Sequence, residues 1–217
     1  MIDAVVFDMD GLLLDSEQLW DEVREELARE RGKPWSEHAQ RDMMGMSSPE
    51  WSRYMHDAVG LEEPPAEISA EVVRRMEERY RRELPLIDGA VDAVERLAAR
   101  WPLGLASSSN RELIDLALDL AGLAPLFRAT VSSEEVAAGK PAPDVYVEAA
   151  HRLGVDPAAC AAIEDSHNGI RSGKAAGMRV VAIPNPHFPP DAEALALADA
   201  VLASLAELTP ETVEAPD

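Results

Sequence analysis

Cysteine is almost absent from this chain. Cys160 is the only one in 217 residues, so no internal disulfide can form, and a reducing compartment, by default the cytoplasm, is expected. Cys160 sits in an apolar run and reads as a buried, inert thiol. Lysine is nearly as scarce: of twenty basic residues only Lys33, Lys140 and Lys174 are lysines. Beyond Arg179 there is no lysine or arginine, while seven acids follow. The formal net charge is −21. Such a surface repels DNA, RNA and anionic membranes, which argues against a nucleic-acid or membrane partner. Long hydrophobic stretches and a basic leader are also lacking, so neither a signal peptide nor a membrane span is expected. The five histidines show no metal-binding spacing such as His-Glu-x-x-His.

What is present is a globular composition, with 47% hydrophobic and 28% charged residues, and enough length for one full core plus a smaller inserted domain. Ala4 to Asp8 is an apolar run ending in acid, the pattern of a strand buried on both faces of a parallel sheet. Leu103 to Ala106, Ala161 to Ile163 and Val180 to Ile183 look alike, and Ala129 to Val131 is a weaker match. Helical patterns separate them at Ala90 to Ala99, Arg111 to Ala121, Asp144 to Leu153 and Gly169 to Ala176. This alternation predicts an α/β fold with a doubly wound parallel, Rossmann-like sheet, whose ligands bind beyond the carboxyl ends of the strands. Residues 16–85 break the rhythm. Glu17 to Arg31 reads as an amphipathic helix with Leu19, Val23 and Leu27 on one stripe, and further helices follow. The expected organisation is an α/β core of residues 1–15 and 86–217, with residues 16–85 as an inserted helical cap.

Four clusters fall at predicted strand ends. In Asp8-Met9-Asp10-Gly11, two carboxylates two residues apart point to one side of an extended chain, and they need a proton or a cation to coexist. Hard oxygen ligands of this kind suit Mg²⁺, although a pair of turn acids reads the same way. Ser107-Ser108-Ser109-Asn110 offers hydroxyls and backbone N–H groups before a helix, either an anion cradle or an ordinary N-cap. Lys140, in Gly139-Lys140-Pro141-Ala142-Pro143-Asp144, can reach a phosphate or the Asp8 carboxylate, or be a plain surface lysine. Glu164-Asp165 repeats the first theme; Asp165 is the candidate third metal ligand, and Glu164 would bind directly or through a water. Together the clusters supply a nucleophile, an acid/base, anion donors, a cation and metal ligands, which is the set phosphoryl transfer needs. On so acidic a chain, a metal and local cations must reverse the field before a phosphate ester can bind.

In the order and spacing of these clusters the sequence resembles the haloacid dehalogenase-like superfamily over essentially its whole length, and within it the helical-cap subgroup of β-phosphoglucomutase and sugar-phosphate phosphatases. The resemblance implies that Asp8 is the nucleophile and forms an aspartyl-phosphate. Asp10 is then the general acid and base, with its backbone carbonyl on the metal. Ser107 and Lys140 hold the phosphoryl oxygens, with Ser108 and Asn110 nearby, and Asp8, Asp10, Glu164 and Asp165 form the magnesium (Mg²⁺) site. The presence of Asp10 disfavours dehalogenation. Trp20 stands where the mutase relatives carry a cap histidine, and their cap arginine would fall near Ser48, which favours hydrolysis over isomerisation. A phosphorelay receiver domain and a non-catalytic phosphate binder are the other readings; the length of the cap disfavours the first and Asp10 the second. The expected partner is a small phosphorylated metabolite, and the expected state a monomer or weak dimer. Specificity is expected in the cap, at Trp20, Met43, Met44, Trp51 or among Arg74, Arg75 and Arg79.

Overall fold

The uninterrupted apolar run Ala4–Phe7 forms β1, and all four of its residues are buried. The computed structural model describes residues 1–36, 38–43 and 46–214, so Met44 lies outside the described residues. Four more strands follow the predicted runs closely: β2 (Leu103–Ser107), β3 (Phe127–Ser132), β4 (Cys160–Glu164) and β5 (Arg179–Ala182). A two-residue strand, β6 (Ala200–Val201), closes one edge and has no counterpart in the sequence reading. The order across the sheet is β3-β2-β1-β4-β5-β6, and every neighbouring pair is parallel. From β1 the chain builds outward to β2 and β3, then crosses back to lay β4 against the other side of β1. That reversal is the switch point at which doubly wound sheets open a ligand crevice.

Alternation along the strands sends side chains to two cores. Val5, Phe7, Leu103, Leu105, Ala161 and Ile163 pack to one face. Ala4, Val6, Ala106, Val131, Cys160 and Ala162 pack to the other, as the two-residue period of a strand requires. Both faces are covered by helices, which explains why the strands read as continuous apolar runs. Helices Ala90–Ala98 and Arg111–Ala121 contribute to the first core. Helices Asp144–Leu153 and His167–Ala175 contribute to the second. Cys160 is buried and in no disulfide; its thiol donates to Asp156 O at 3.4 Å, and burial pushes it up to about 11.

Between β1 and the helix at Ala90 the described residues form helices and no strand. We label them α1 (Glu17–Glu30), α2 (Ala39–Met43), α3 (Ser48–Tyr54, continued by a π-helical turn to Val59) and α4 (Pro65–Arg82). Val23, Leu27 and Ala28 of α1 are buried with Ile68, Val72 and Met76 of α4. Arg75 bonds Glu30 at 2.6 Å and Arg79 bonds Glu26 at 2.7 Å across the outside of this contact. Such exposed pairs are screened by solvent and contribute little, against about 1.5–3 kcal/mol for each large apolar side chain removed from water, so packing holds these helices together. The chain enters and leaves this region side by side: Leu14 bridges Leu86 in antiparallel fashion, Asp15 N–H donates to Pro85 O at 2.8 Å and Ile87 N–H to Leu13 O at 2.9 Å. Among the described residues no helix is long and apolar enough to cross a membrane.

Candidate active site

Register brings the strand ends together. Phe7 lies opposite Leu105 on one side and Ile163 on the other. Asp8, just past the end of β1, still donates its N–H to Ile163 O at 3.0 Å. Its carboxylate therefore stands beside those of Glu164 and Asp165, at the end of β4. The chain then turns at once: Met9 O accepts from the N–H groups of Leu13 and Leu14, and Gly11 adopts φ +85°, a conformation that disfavours any side chain. Space also demands glycine there, because a Cβ would stand 2.2 Å from Asp165 Oδ2.

Lys140 is the cation of this cluster. Its side chain is 3% exposed, with Nζ 2.5 Å from Asp8 Oδ1 and 2.6 Å from Glu164 Oε1, and it lies 4.9 Å above the Tyr146 ring. Burial by itself would depress this ammonium, but the two carboxylates outweigh it and hold its pKa above the ordinary value. Glu164 is fully engaged. Oε1 accepts from Lys140 and from Tyr146 Oη at 2.8 Å, while Oε2 accepts from Asp165 N–H, Ser166 N–H and Ser166 Oγ. Burial pushes the Asp8 carboxyl up to about 8; Lys140 opposes this and Glu164 adds to it.

Asp165 differs from its neighbours. It is 1% exposed, yet neither of its carboxylate oxygens has a hydrogen-bond partner. Burial, then the charges of Glu164 and Asp8, push its carboxyl well above the usual range. An orphaned carboxylate in such a place costs several kcal/mol unless a cation meets it. Ligand oxygens of Asp8, Glu164 and Asp165 lie within 4.8 Å of one another. Three carboxylates against the single Lys140 ammonium leave two formal negative charges. Hard oxygen donors with that deficit fit a divalent cation such as Mg²⁺. Asp8 and Asp165 have the free acceptor capacity; Glu164 is occupied by its five donors and sets the position of Lys140.

Asp10 faces the other way. Oδ1 accepts from Ser16 Oγ at 2.6 Å and Trp20 Nε1 at 3.2 Å, and Oδ2 from Ser109 Oγ at 2.7 Å and Ser107 Oγ at 3.3 Å. Four donors, from the N-cap and first turn of α1, the last residue of β2 and the loop after it, thus fix both oxygens. Its carboxylate is not one of the three in the metal cluster. Asp8, Asp10, Lys140, Ser108 and Ser109 line one cavity.

Of the other sequence candidates, Ser107 is fully buried and supports the loop by accepting from Ser109 N–H at 3.0 Å. Asn110 is turned away from this cavity. Its Oδ1 accepts from Ser48 Oγ of α3 at 2.8 Å and its Nδ2 donates to Glu134 at 2.7 Å, and it lines a separate cleft with Ser48, Ser52 and Glu134. Trp20, Met43 and Trp51 line the cavity. Arg74, Arg75 and Arg79 do not; they pair with Glu71, Glu78, Glu30 and Glu26. The arginine at the cavity is Arg24, beside Glu17, and sequence reading passed over both. The available signal was spacing: Arg24 sits between Val23 and Leu27 on the apolar stripe of α1, where a charge has no reason to be unless something polar faces it.

The pattern of the haloacid dehalogenase-like hydrolases matches residues 2–177. Hexitol phosphatase B of Escherichia coli (strain K12) is 35% identical over 213 residues, covering 95% of this chain and 94% of that protein. A probable pseudouridine-5'-phosphatase of Drosophila melanogaster is 36% identical over 213 residues, covering 95% and 91%. The crystal structure of CbbY from Rhodobacter sphaeroides in complex with phosphate superimposes with a TM-score of 0.87 at 28% identity, covering 98% of this chain and 99% of that one. Matched in sequence pattern from its first strand through the helix that follows Asp165, and in fold over nearly its whole length, the chain belongs to the haloacid dehalogenase-like hydrolases.

Proposed function

We propose that this protein is a Mg²⁺-dependent phosphatase that hydrolyses a small phosphomonoester, a sugar phosphate or nucleotide-like compound, through an aspartyl-phosphate on Asp8. The observation that carries the reading is the pairing of an Asp8 held by Lys140 with a buried, unpartnered Asp165, beside an Asp10 that is oriented separately. The phosphatases among its relatives support the same class. In this reading residues 16–85 form a cap above the strand ends, and residues 1–15 and 86–217 form the catalytic core.

The chemistry divides between the two aspartates. Asp8 attacks phosphorus, the ester P–O bond breaks, and Asp10 delivers a proton to the departing alcohol oxygen. Water then attacks the phosphorus of the acyl phosphate while Asp10 takes its proton, and inorganic phosphate leaves with Asp8 restored. Lys140 binds a phosphoryl oxygen and keeps Asp8 aligned. The loop N–H groups and the Ser108 hydroxyl form the remaining anion cradle; Ser107 and Ser109, whose hydroxyls donate to Asp10, and Asn110, which fixes that loop against α3, act at one remove. Mg²⁺, held by Asp8, Asp165 and the Asp10 backbone with Glu164 behind them, supplies charge neutralisation at the transferred group.

The test is phosphate release from a panel of sugar phosphates, nucleoside monophosphates and an aryl phosphate, with and without Mg²⁺. Release that requires Mg²⁺ and disappears in Asp8→Asn is expected. No release from any ester would refute the reading, and isomerisation of β-glucose 1-phosphate would be the next assay.

A further inference from the structure

Glu17, Trp20 and Arg24 lie three and seven residues apart on α1 and therefore share one stripe of that helix. All three line the cavity that holds Asp8 and Lys140. Arg24 is only 5% exposed. Its guanidinium carbon lies 4.6 Å from the Trp20 ring centre and 4.7 Å from that of Trp51. Contact with two indoles fixes the plane of the guanidinium and directs its N–H fork. Lys140 is committed to the reacting end by Asp8 and Glu164, so Arg24 is the second cation of the cavity. Glu17 and Arg24 attract one another electrostatically, and Asp10 and Asp21 add to the field on Arg24.

We propose that Glu17 and Arg24 are the specificity pair that reads the alcohol portion of the substrate, and that the preferred substrate is the monophosphate of a neutral polyol rather than a bisphosphate or a phosphorylated sugar acid. This rests on the phosphatase reading above. Arginine only donates hydrogen bonds and a carboxylate only accepts them. A chain of hydroxyls satisfies both at once, one oxygen accepting from Arg24 and a neighbouring O–H donating to Glu17. A second anionic group would gain Arg24 but would meet Glu17 and Asp10 at the same sign in the same small space. The chain's net charge of −21 opposes a doubly anionic substrate further. The apolar side of the cavity, Met43, Met46 and Trp51, suits the carbon face of such a polyol and offers nothing to a second charge.

The competing account is structural: Glu17 complements the amino end of α1, and Arg24 merely wedges Trp20 against Trp51. The two accounts separate on substrate ratios. The panel is a hexitol monophosphate, a hexose bisphosphate, a phosphorylated sugar acid and an aryl phosphate, assayed with wild type, Arg24→Gln, Arg24→Lys and Glu17→Gln. Wild type should favour the hexitol ester over the bisphosphate by roughly 10-fold or more in kcat/KM. Arg24→Gln should lower the hexitol-to-aryl ratio by roughly 10–100-fold, chiefly through KM. Arg24→Lys, which keeps the charge without the fork, should fall between. Glu17→Gln should narrow the hexitol-to-bisphosphate ratio by about 10-fold. Variants that fold and lose activity equally on every substrate would overturn the proposal, as would a wild-type preference for the bisphosphate. Release from the aryl ester with either of those results sinks the specificity assignment alone; release from no ester sinks the phosphatase reading with it.

Discussion

Gly169→Ala tests how firmly the charge cluster is held. Gly169 lies in the first turn of the helix after β4, and its own N–H donates to Ser166 Oγ at 3.1 Å. Its φ does not require glycine; a Cβ there would fall 1.8 Å from Glu164 Oε1 and 2.0 Å from Oε2. A carboxylate at the end of a flexible side chain would ordinarily step aside. This one is fully buried and accepts from Lys140, Tyr146, Asp165 and Ser166, so moving it breaks a buried ion pair. That costs about 3–5 kcal/mol, against a gain of about 1 kcal/mol from the better helix propensity of alanine. The net loss of about 2–4 kcal/mol corresponds to roughly 4–16 °C in thermal midpoint for a domain of this size. Gly122→Ala is the control: it has φ +71° and open space, so it should cost only the left-handed backbone term of about 1–2 kcal/mol. Calorimetry of both variants, with Mg²⁺ titrated, is the assay. A Gly169→Ala protein as stable as wild type and with the same Mg²⁺ response would refute the idea that Glu164 is immovable and positions Lys140.

Other outcomes follow from the same geometry. Asp10→Asn should lower turnover by roughly 10²–10⁴-fold while retaining Mg²⁺-dependent thermal stabilisation; wild-type turnover would remove Asp10 from the mechanism. Asp8→Asn should yield no acid-stable or trappable phosphoenzyme with any substrate, and detection of one by mass spectrometry would assign the nucleophile elsewhere. The Asp8 carboxyl, raised to about 8 chiefly by burial, keeps in the native state a proton that the unfolded chain has already released above its ordinary value of 3.8. Metal-free protein should therefore lose stability as pH rises through that window. Because a bound cation competes with this proton, stabilisation by Mg²⁺ should grow between roughly pH 6 and 8.5; a shift in melting temperature that ignores pH would contradict this. Cys160, with its thiol pushed up to about 11, should resist alkylation at roughly pH 8 in the native protein and react after denaturation; rapid native labelling would show the site to be open.

The sheet was legible because burial on both faces leaves no alternation to confuse: β1, β2, β4 and β5 each appear as apolar runs closed by a turn. β6 was not, since two residues at an exposed edge carry no pattern. Lys140 drew attention by its rarity and its loop, but those features left a phosphate, the Asp8 carboxylate and solvent all open to it; its 2.5 Å contact with Asp8 is settled only by the fold. The direction of Asn110 could not, because its partners Ser48 and Glu134 come from distant segments and helix-start chemistry alone suggests a cap or a cradle. Arg74, Arg75 and Arg79 drew attention as a cluster, but a charge count does not say which way a helix faces. Arg24 would have been found by asking which charge violates the apolar stripe of its own helix.

The paired segments at Leu14–Leu86 and Asp15–Pro85 have a practical consequence for protein engineering. The polypeptide crosses between the sheet and the helices of residues 16–85 at just these two adjoining points, like the two ends of a cassette. A foreign helical module whose termini sit side by side can be spliced there without re-registering a single strand. On the proposed reading of residues 16–85 as a cap, exchanging that cassette between relatives would ask whether substrate preference travels with it while the aspartates and Lys140 stay in their native frame.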